Sequence, residues 1–264
     1  MSSEPLKPAM PSRQERRRLL TVYGRNAVLE ALQNKDLDCR TLHLAQSNRK
    51  GGSLAPIMGA AQARKLPMQQ HSREALARIS RNGRQDQGVA LDVYCPALGE
   101  LADFLAALPA SGPCRLLALD GVTNPQNAGM AIRSATAAGV AGVLYADRGN
   151  PALGPLVIKA SAGTVFRAPL LRCGDIPGGT QACLAAGFTL YRLQAGAGRN
   201  LFDGQPFAAR GLFVLGGETG GLSPALQELP GEDIAIPMAN GVESLNVAVS
   251  ASLVAYRVGA QRDR

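Results

Sequence analysis

From residue 114 onward, short apolar segments alternate with segments in which apolar residues recur at helical spacing. The first predicted strand is RLLALDG at 115–121 and the last is DIAIP at 233–237, with predicted helices between the strands. This alternation predicts an α/β fold with a mostly parallel sheet covered on both faces. Because ligands bind such sheets at the carboxyl ends of the strands, we expect a functional site in the loops there.

The chain is predicted to contain four segments. Residues 1–18, which include the run RQERRR, are expected to form a disordered basic arm. Residues 19–95 are expected to form a small α/β domain, with helices in YGRNAVLEALQN and LAPIMGAAQARK and strands in TLHLA and GVALDVYC. Residues 96–113 are a predicted linker with one short helix, LADFLAAL, and residues 114–264 form the larger α/β domain.

Positive charge is concentrated at the front of the chain. The first 99 residues carry 12 Arg and 4 Lys against 8 acidic residues, whereas the rest is balanced, so the formal net charge of +8 lies in the first part. A cationic domain suits a polyanion such as RNA, because arginine forms bidentate bonds with phosphate and stacks on bases. A genome that favours arginine codons, with a solvated protein surface, explains the same composition.

Several classes of protein are disfavoured by composition. The five cysteines lie far apart without C-x-x-C spacing, which indicates reduced thiols in the cytoplasm rather than disulfides or a zinc site. The only histidines, His43 and His71, argue against a His-based metal centre or a Ser-His-Asp triad. No apolar run approaches the ~18 residues of a membrane helix, and the Arg-rich N-terminus is unlike a secretory signal. We therefore expect no metal and no membrane partner.

The first candidate loop is DGVTNPQNAGMAIR, residues 120–133, which follows a predicted strand. Asn127 is expected to cap the next helix, Gly129 to allow close backbone approach, and Arg133 to lie one turn beyond Gly129 on the same face. Asn127 and Arg133 are thus expected to point at one spot above the sheet. A plain helix cap and a solvated arginine would give the same residues.

The second candidate loop is VLGGETGGLSP, residues 214–224. It matches neither the P-loop pattern nor G-x-G-x-x-G. Glycines at a strand end let backbone groups meet a ligand directly. Glu218, between the two glycine pairs, is either a solvated turn residue or a hydrogen-bond partner for a polar ligand.

The third candidate loop lies in IAIPMANGVESLNV, residues 234–247. Asn240 and Gly241 predict a turn, and Ser244 is expected to cap the last helix. Capping does not explain Asn246 in the same way. Three polar, glycine-bearing loops at neighbouring strand ends predict one composite ligand pocket.

The residues of these loops resemble three known motifs. They are N-x-G-x-x-x-R from Asn127, G-x-E-x-x-G-L from Gly216, and I-P-M followed by S-L-N-V-A from Ile236. In this order they are similar to the motifs of the SpoU class of RNA 2′-O-ribose methyltransferases, within the SPOUT superfamily. YGRNAVLEAL and DQGVALDV resemble the RNA-binding domain of the 23S rRNA guanosine-2′-O-methyltransferase subgroup, although Asp86 stands where that subgroup usually has histidine.

The resemblance implies a fold, a cofactor and an assembly. It implies a SPOUT-type sheet whose C-terminal segment forms a trefoil knot, and a homodimer with the pocket close to the subunit interface. The second and third loops would hold S-adenosylmethionine, with contacts from Gly216, Ile236, Met238 and Leu245. The apolar helix predicted at 244–257 suits either a dimer contact or an ordinary core.

The resemblance also implies catalytic roles, for Asn127, Arg133, Glu218, Ser244 and Asn246. Because a guanidinium stays protonated, we expect Arg133 to grip the adjacent phosphate and stabilise developing alkoxide charge rather than act as a base. Glu218 or a water would accept the hydroxyl proton. The other three side chains would orient the ribose or the loop.

The leading hypothesis is methylation of a ribose 2′-hydroxyl in RNA, with rRNA favoured over tRNA by the two-domain organisation. The alternatives are a tRNA methyltransferase and a non-catalytic RNA-binding factor of ribosome assembly with a vestigial pocket. A dinucleotide-dependent oxidoreductase is disfavoured because G-x-G-x-x-G and its ribose-binding acid are missing.

Overall fold

The computed structural model describes residues 12–48, 51–218 and 220–259. The chain divides into two compact units, Met1–Pro96 and Ala97–Arg264, called here the N-terminal unit and the C-terminal unit. The N-terminal unit contains α1 (Arg13–Arg17), β1 (Leu19–Tyr23), α2 (Arg25–Gln33), β2 (Asp38–Ala45), α3 (Ala55–Ala63), β3 (Met68–His71), α4 (Arg73–Ser80) and β4 (Val89–Tyr94).

The N-terminal unit is built on a four-stranded sheet in the order β1-β4-β2-β3. β4 pairs antiparallel with β1 and β2, and β3 pairs in parallel with β2 at one edge. The predicted helices and strands of this segment all form. The sequence did not predict β1, β3 or α4, and β3 (MQQH) is mostly exposed, so it carries no apolar alternation to reveal it.

The front of the chain differs from the expected disordered arm. Residues 1–11 lie outside the described residues, but α1 follows directly. Ser12 Oγ accepts the backbone N–H of Glu15 at 3.1 Å, and the Glu15 carboxylate accepts the N–H of Ser12 at 2.8 Å. This reciprocal capping box satisfies two amides at the helix start, which explains why a charged run becomes helical.

The C-terminal unit carries an eight-stranded sheet in the order β10-β12-β9-β11-β6-β7-β8-β5, and every pairing between these strands is parallel. Its elements are β5 (Gly99–Glu100), α5 (Leu101–Ala106), β6 (Cys114–Asp120), α6 (Pro125–Ala137), β7 (Gly142–Ala146), α7 (Pro155–Ala160), β8 (Leu170–Cys173), α8 (Ile176–Ala185), β9 (Thr189–Leu193), β10 (Arg199–Asn200), β11 (Arg210–Gly216), α9 (Pro224–Gln227), β12 (Glu232–Ala235) and α10 (Val247–Gly259).

The core of this unit explains why its sequence reads as strands and helices. β6 is buried at every position, as a central strand covered on both faces should be. Gly129 lets α6 approach α7 closely, because a Cβ at this position would lie 2.6 Å from the Cβ of Ala160. The close approach predicted for Gly129 is therefore present.

Three segments depart from the predicted pattern. The apolar segment VFRAPLLR, residues 165–172, predicts one strand, but Thr164–Phe166 is a 3-10 helix and β8 starts at Leu170. In the segment expected to be a linker, α5 forms as predicted and β5 adds to the sheet beside β8. The last helix begins at Val247 rather than at Ser244.

None of the helices in the described part of the chain combines the length and hydrophobicity needed to span a bilayer.

Candidate active site

A cavity of about 580 Å³ opens at the carboxyl ends of β9 and β11 and beside the segment that joins β12 to α10. This is the edge of a parallel sheet where ligands bind. The second and third candidate loops both contribute to it. Its lining residues are Leu193, Gln194, Ala195, Leu215, Gly216, Gly217, Glu218, Gly221, Leu222, Ile236, Met238, Glu243, Ser244, Leu245, Asn246, Val247 and Ser250.

The glycine-rich loop after β11 folds back on itself. Gly217 and Gly221 exchange backbone hydrogen bonds of 3.1 and 3.0 Å. A Cβ on Gly216 would lie 2.2 Å from the carbonyl carbon of Gly221, so only glycine permits this close backbone packing. The loop thereby brings backbone groups to the cavity, together with the side chain of Glu218.

Asp120 fixes the far end of the same loop. Its side chain is 6% exposed at the end of β6, and its Oδ2 accepts the backbone N–H of Ser223 at 2.7 Å. A buried carboxylate that accepts a backbone amide holds two neighbouring strand ends in a set geometry. Sequence reasoning gave Asp120 no role, because a strand-ending aspartate is common and its partner lies about 100 residues away.

Three polar side chains from separate elements meet beside the cavity, which Glu218 and Asn246 line and Asn127 does not. Asn127, on α6 and 4% exposed, donates a hydrogen bond from Nδ2 to Glu218 Oε1. Asn246 donates from Nδ2 to Asn127 Oδ1 at 3.1 Å and to Glu218 Oε1 at 3.3 Å. Residues from all three candidate loops therefore form one hydrogen-bond network, here called the Asn-Glu-Asn network.

The helix start fixes the orientation of this network. Asn246 Oδ1 accepts the N–H of Ala248 at 2.8 Å, and the Asn246 carbonyl accepts the N–H of Ser250 at 3.0 Å. Because the side-chain oxygen is committed to the helix, the amide group must face Asn127 and Glu218. Glu218 Oε1 receives both amide bonds, and no hydrogen bond to Oε2 occurs among the described residues, so Oε2 remains available to a ligand.

Two predicted helix caps were wrong. Asn124, not Asn127, caps α6, since its side chain accepts the N–H of Gln126 at 2.9 Å. Asn246, not Ser244, caps α10. In both cases two polar residues near the helix start can act as the cap, and the cap is the one directly before the first helical residue. Because Asn127 does not cap the helix, its side chain can donate a hydrogen bond to Glu218.

The two remaining residues predicted to be catalytic, Ser244 and Arg133, lie in different surroundings. Ser244 lines the cavity with an exposed side chain. Arg133 is exposed on α6, does not line the cavity, and makes no ion pair or hydrogen bond within the described ranges. No hydrogen bond joins Asn127 to Arg133 within the described ranges, and the expectation that both point at one spot stays a prediction.

The four residues predicted to hold a cofactor, Gly216, Ile236, Met238 and Leu245, all line the cavity. Sequence reasoning missed Gln194 and Ser250, which also line it. Gln194 follows β9 and precedes a glycine-bearing stretch, the same signal that marked the other loops. Ser250 carried no signal, because it lies within a helix.

The charge of the cavity is negative. Glu218 and Glu243 line it, and no Lys or Arg belongs to its described lining. Carboxylates beside apolar walls attract a cationic ligand more strongly than they would in bulk water. The cavity is therefore suited to a ligand that combines apolar surface with positive charge.

Other reactive groups of this unit do not compete for a catalytic role. Burial raises the pKa of Cys183 to about 12, and burial with nearby Asp175 raises that of Cys173 to about 12. Both thiols stay protonated at neutral pH and are poor nucleophiles. Within residues 12–48, 51–218 and 220–259, no cluster of three or more His, Cys, Asp or Glu side chains could hold a metal ion.

A parallel sheet with a cavity at its strand ends is typical of α/β domains that bind small molecules. More narrowly, the chain belongs to the SpoU rRNA methylase family, whose sequence model matches residues 115–256. A second family model, for the substrate-binding domain of RNA 2′-O ribose methyltransferases, matches residues 21–94. An uncharacterized tRNA/rRNA methyltransferase of Mycobacterium avium (strain 104) is 31% identical over 245 residues, which cover 92% of this chain and 77% of the relative.

Solved structures agree with this assignment. The SpoU methyltransferase AviRb from Streptomyces viridochromogenes, in complex with the cofactor AdoMet, aligns with a TM-score of 0.61 at 26% identity, covering 96% of this chain and 94% of AviRb. The AdoMet-bound rRNA methyltransferase from Sinorhizobium meliloti aligns with a TM-score of 0.63 at 19% identity, covering 95% and 90%, and shows the shared fold. The predicted SPOUT-type α/β fold is confirmed, and the trefoil knot stays a prediction.

Proposed function

We propose that this protein transfers a methyl group from S-adenosylmethionine to a ribose 2′-hydroxyl of RNA, with ribosomal RNA as the substrate. The observation that carries the proposal is the Asn-Glu-Asn network at a strand-end cavity, in a chain of the SpoU methylase family. Side-chain amides that orient a carboxylate, here the buried Asn127 and the exposed Asn246, are typical of a site that positions a polar reacting group.

The cavity fits S-adenosylmethionine in size and surface. Its volume of about 580 Å³ suits a small-molecule cofactor. Apolar walls such as Ile236 and Leu245 suit an adenine ring, and the backbone of Gly216 can approach a ligand closely. We therefore assign cofactor contacts to Gly216, Ile236, Met238 and Leu245.

The charge of the cavity fits the same cofactor. Its sulfonium and amino groups are cationic, and the carboxylates of Glu218 and Glu243 lie in the cavity wall. When bound, the cofactor supplies an electrophilic methyl group attached to the sulfonium sulfur.

The protein must bring the ribose hydroxyl into line with that methyl group and help it lose its proton. Positioning alone contributes several kcal/mol, out of roughly 7–11 for ideal alignment. Asn127 and Asn246 hold Glu218 by Oε1, which leaves Oε2 to accept the hydroxyl proton. Ser244 lies in the same wall and would orient the ribose.

Arg133 has a separate role in this proposal. Its guanidinium is exposed and has no partner within the described residues, so it is free to bind the phosphate next to the target ribose. A cation there also stabilises the alkoxide charge that develops as the proton leaves.

Ribosomal RNA is the preferred substrate because a separate basic N-terminal unit precedes the catalytic one. The alternative substrate is tRNA, which the name of the Mycobacterium avium relative includes. We assign the enzyme to the cytoplasm, where its cysteines, none of which forms a disulfide in the described structure, stay reduced.

A non-catalytic RNA-binding role is the second candidate. The intact Asn-Glu-Asn network argues against it, because a vestigial pocket has no need to keep three polar side chains in register. This candidate predicts RNA binding without methyl transfer.

The protein is proposed to act as a homodimer. Val249 and Tyr256, seven residues apart on one face of α10, are 48% and 56% exposed, and Met130 on α6 is 41% exposed. Exposed apolar side chains on packed helices suit a subunit contact. Light scattering should give twice the monomer mass for the wild type and a monomer for Val249→Arg. A monomeric wild type at micromolar concentration would contradict the dimer.

Methyl transfer tests the proposal. The full chain is incubated with tritiated S-adenosylmethionine and separately with rRNA and tRNA from a strain that lacks the gene. The RNA is then digested to nucleosides and separated by chromatography. We expect label in a 2′-O-methylnucleoside from rRNA.

Label in a base would contradict ribose methylation, and label in tRNA alone would make tRNA the substrate. Binding of both RNAs without label would favour the non-catalytic role. Mapping ribose methylation in the deletion strain and its parent then identifies the nucleotide.

A further inference from the structure

A second cavity, of about 570 Å³, lies wholly within the N-terminal unit. Arg25 and Arg73 line it together with Ser47, Asn48, Ser53 and Gln87. No acidic or aromatic residue belongs to its described lining. Its surface is thus cationic and polar, which suits an anionic ligand rich in hydroxyl groups.

Arg25 is held in place by neutral acceptors. Its Nη1 donates to Ser53 Oγ at 2.7 Å, and its Nε donates to the carbonyl of Gln87 at 3.3 Å. Its Nη2 lies 3.5 Å from Asn48 Oδ1. None of these partners carries charge, so the guanidinium is fixed in position while its positive charge is not neutralised.

The residues around Arg25 are also held in place by hydrogen bonds. The buried carboxylate of Asp86 accepts the N–H of Gly88 and the hydroxyl of Ser80, each at 2.9 Å. Asn48 Nδ2 donates to the Gly88 carbonyl at 2.8 Å. A Cβ on Gly88 would lie 2.4 Å from Asn48 Oδ1, so this contact requires glycine. A cavity held in this way loses little freedom when a ligand binds.

The two arginines occupy positions that do not favour helix stability. Arg25 is the first residue of α2, and Arg73 is the first residue of α4. The N-terminal end of a helix carries partial positive charge and disfavours a cation. The first turn of α2 contains no acidic residue to offset this. In α4, Glu74 in the first turn offsets it. An anion bound at Arg25 would offset it for α2, and such local conflicts are expected at functional sites.

We propose that this cavity binds the sugar-phosphate backbone of the RNA substrate. Arg25 and Arg73 bind phosphate oxygens, and the amide and hydroxyl side chains bind ribose hydroxyls. The lack of an aromatic residue in the described lining favours backbone over a stacked base. The proposal rests on the proposed RNA substrate and deepens it, because it gives the N-terminal unit a defined contact.

The test is fluorescence anisotropy of a labelled single-stranded RNA of mixed sequence, titrated with the full chain at several salt concentrations. Arg73→Ala is the main variant, since Arg73 makes no hydrogen bond or ion pair within the described residues and its loss should leave the fold intact. Arg25→Lys keeps the charge but loses the fork that binds phosphate. Arg78→Ala is the matched control, because Arg78 is exposed on the same helix and outside the cavity lining.

Arg73→Ala should weaken RNA binding about fivefold to tenfold and reduce the slope of log affinity against log salt by about 0.7. Arg25→Lys should weaken binding several-fold, and Arg78→Ala less than twofold. Wild-type affinity and slope in Arg73→Ala and Arg25→Lys would overturn the site. Equal losses in Arg73→Ala and Arg78→Ala would also overturn it, in favour of diffuse charge attraction.

Methyl transfer by the wild type is measured in parallel. If the wild type transfers methyl groups but the variants bind RNA as tightly as the wild type, RNA binding by this cavity is rejected and the proposed function stands. RNA binding that depends on Arg73, without any methyl transfer, supports the cavity and rejects the proposed function. A wild type that binds no RNA rejects both.

Discussion

The two units carry cavities of nearly equal volume and opposite charge. The cavity of the C-terminal unit, about 580 Å³, has apolar walls and two carboxylates, Glu218 and Glu243. The cavity of the N-terminal unit, about 570 Å³, has polar walls and two arginines, Arg25 and Arg73. Size therefore does not distinguish their ligands, but charge does.

The difference in charge indicates that the two cavities bind different ligands. A negative, partly apolar cavity at the strand ends of a parallel sheet suits a cationic methyl donor, and a positive, polar cavity suits the phosphates of RNA. The formal charge follows the same division, because the excess of +8 lies in the first 99 residues. Under the two proposals above, one chain separates cofactor binding from substrate binding by electrostatics.

The largest expected effect concerns Arg133, a cation of the C-terminal unit outside the described lining of its cavity. If Arg133 serves the RNA rather than the cofactor, Arg133→Ala should reduce methyl transfer about 10²–10³-fold, the loss typical of one charge-stabilising group. The affinity for S-adenosylmethionine should change less than about threefold, because Arg133 lies outside the described lining of the cavity.

Arg148→Ala is the control for Arg133, since Arg148 is exposed and pairs only with Asp175 among the described ion pairs. Radiometric assays and calorimetry give the two quantities. Full activity of Arg133→Ala would remove Arg133 from the reaction.

A smaller loss is expected from Asn246→Asp. Aspartate can still cap α10, so the melting temperature should stay close to that of the wild type. The new carboxylate faces Glu218 Oε1, which lies 3.3 Å from the present amide nitrogen, and removes a donor from the network. Methyl transfer should fall roughly 10–100-fold, within the range for a lost positioning contact. An active Asn246→Asp enzyme with normal turnover would show that the network is structural only.

The smallest effect concerns pH, because both histidines lie in the N-terminal unit. His71 Nε2 lies 3.0 Å from His43 Nδ1, whose ring also contacts Asp92 at 3.0 Å. Burial, and then the neighbouring His43, lower the pKa of His71 below its ordinary value of 6.5. The folded state therefore holds this proton less tightly than the unfolded chain, and stability falls as the pH drops below 6.5.

His71→Gln should flatten this dependence. Thermal unfolding between pH 8 and pH 5 measures it, with an expected difference of a few degrees at the acid end. The affinity of the C-terminal cavity for the cofactor, measured over the same range, is the internal control. Equal pH slopes in the wild type and the variant would exclude His71 as the cause.

Much of the C-terminal unit could be predicted from the sequence. The buried strands and amphipathic helices are local sequence patterns. The glycine-bearing loops lie where the strands end, and Gly216, Glu218 and Ile236 from these loops line one cavity. The helix caps could not be predicted in the same way. Ser244 and Asn246 can both cap, and contact with Asn127 and Glu218 decides between them.

The N-terminal cavity was not predicted, for a different physical reason. Arg25, Asn48, Arg73 and Gln87 come from four separate stretches of the sequence, two in helices and two in loops. Each is an ordinary surface residue on its own, and only the packing of helices against the mixed sheet brings them together. Net charge indicated the polyanion but not the place where it binds.

Calorimetric titration with S-adenosylmethionine tests the division between the cavities most directly. The wild type is compared with Leu245→Arg, which places a cation in the negative cavity at a side chain that is 37% exposed, and with Arg73→Ala. The account predicts saturable binding of equal affinity to the wild type and Arg73→Ala, and no detectable binding to Leu245→Arg. No heat with the wild type under varied conditions, or undiminished binding to Leu245→Arg, would contradict it.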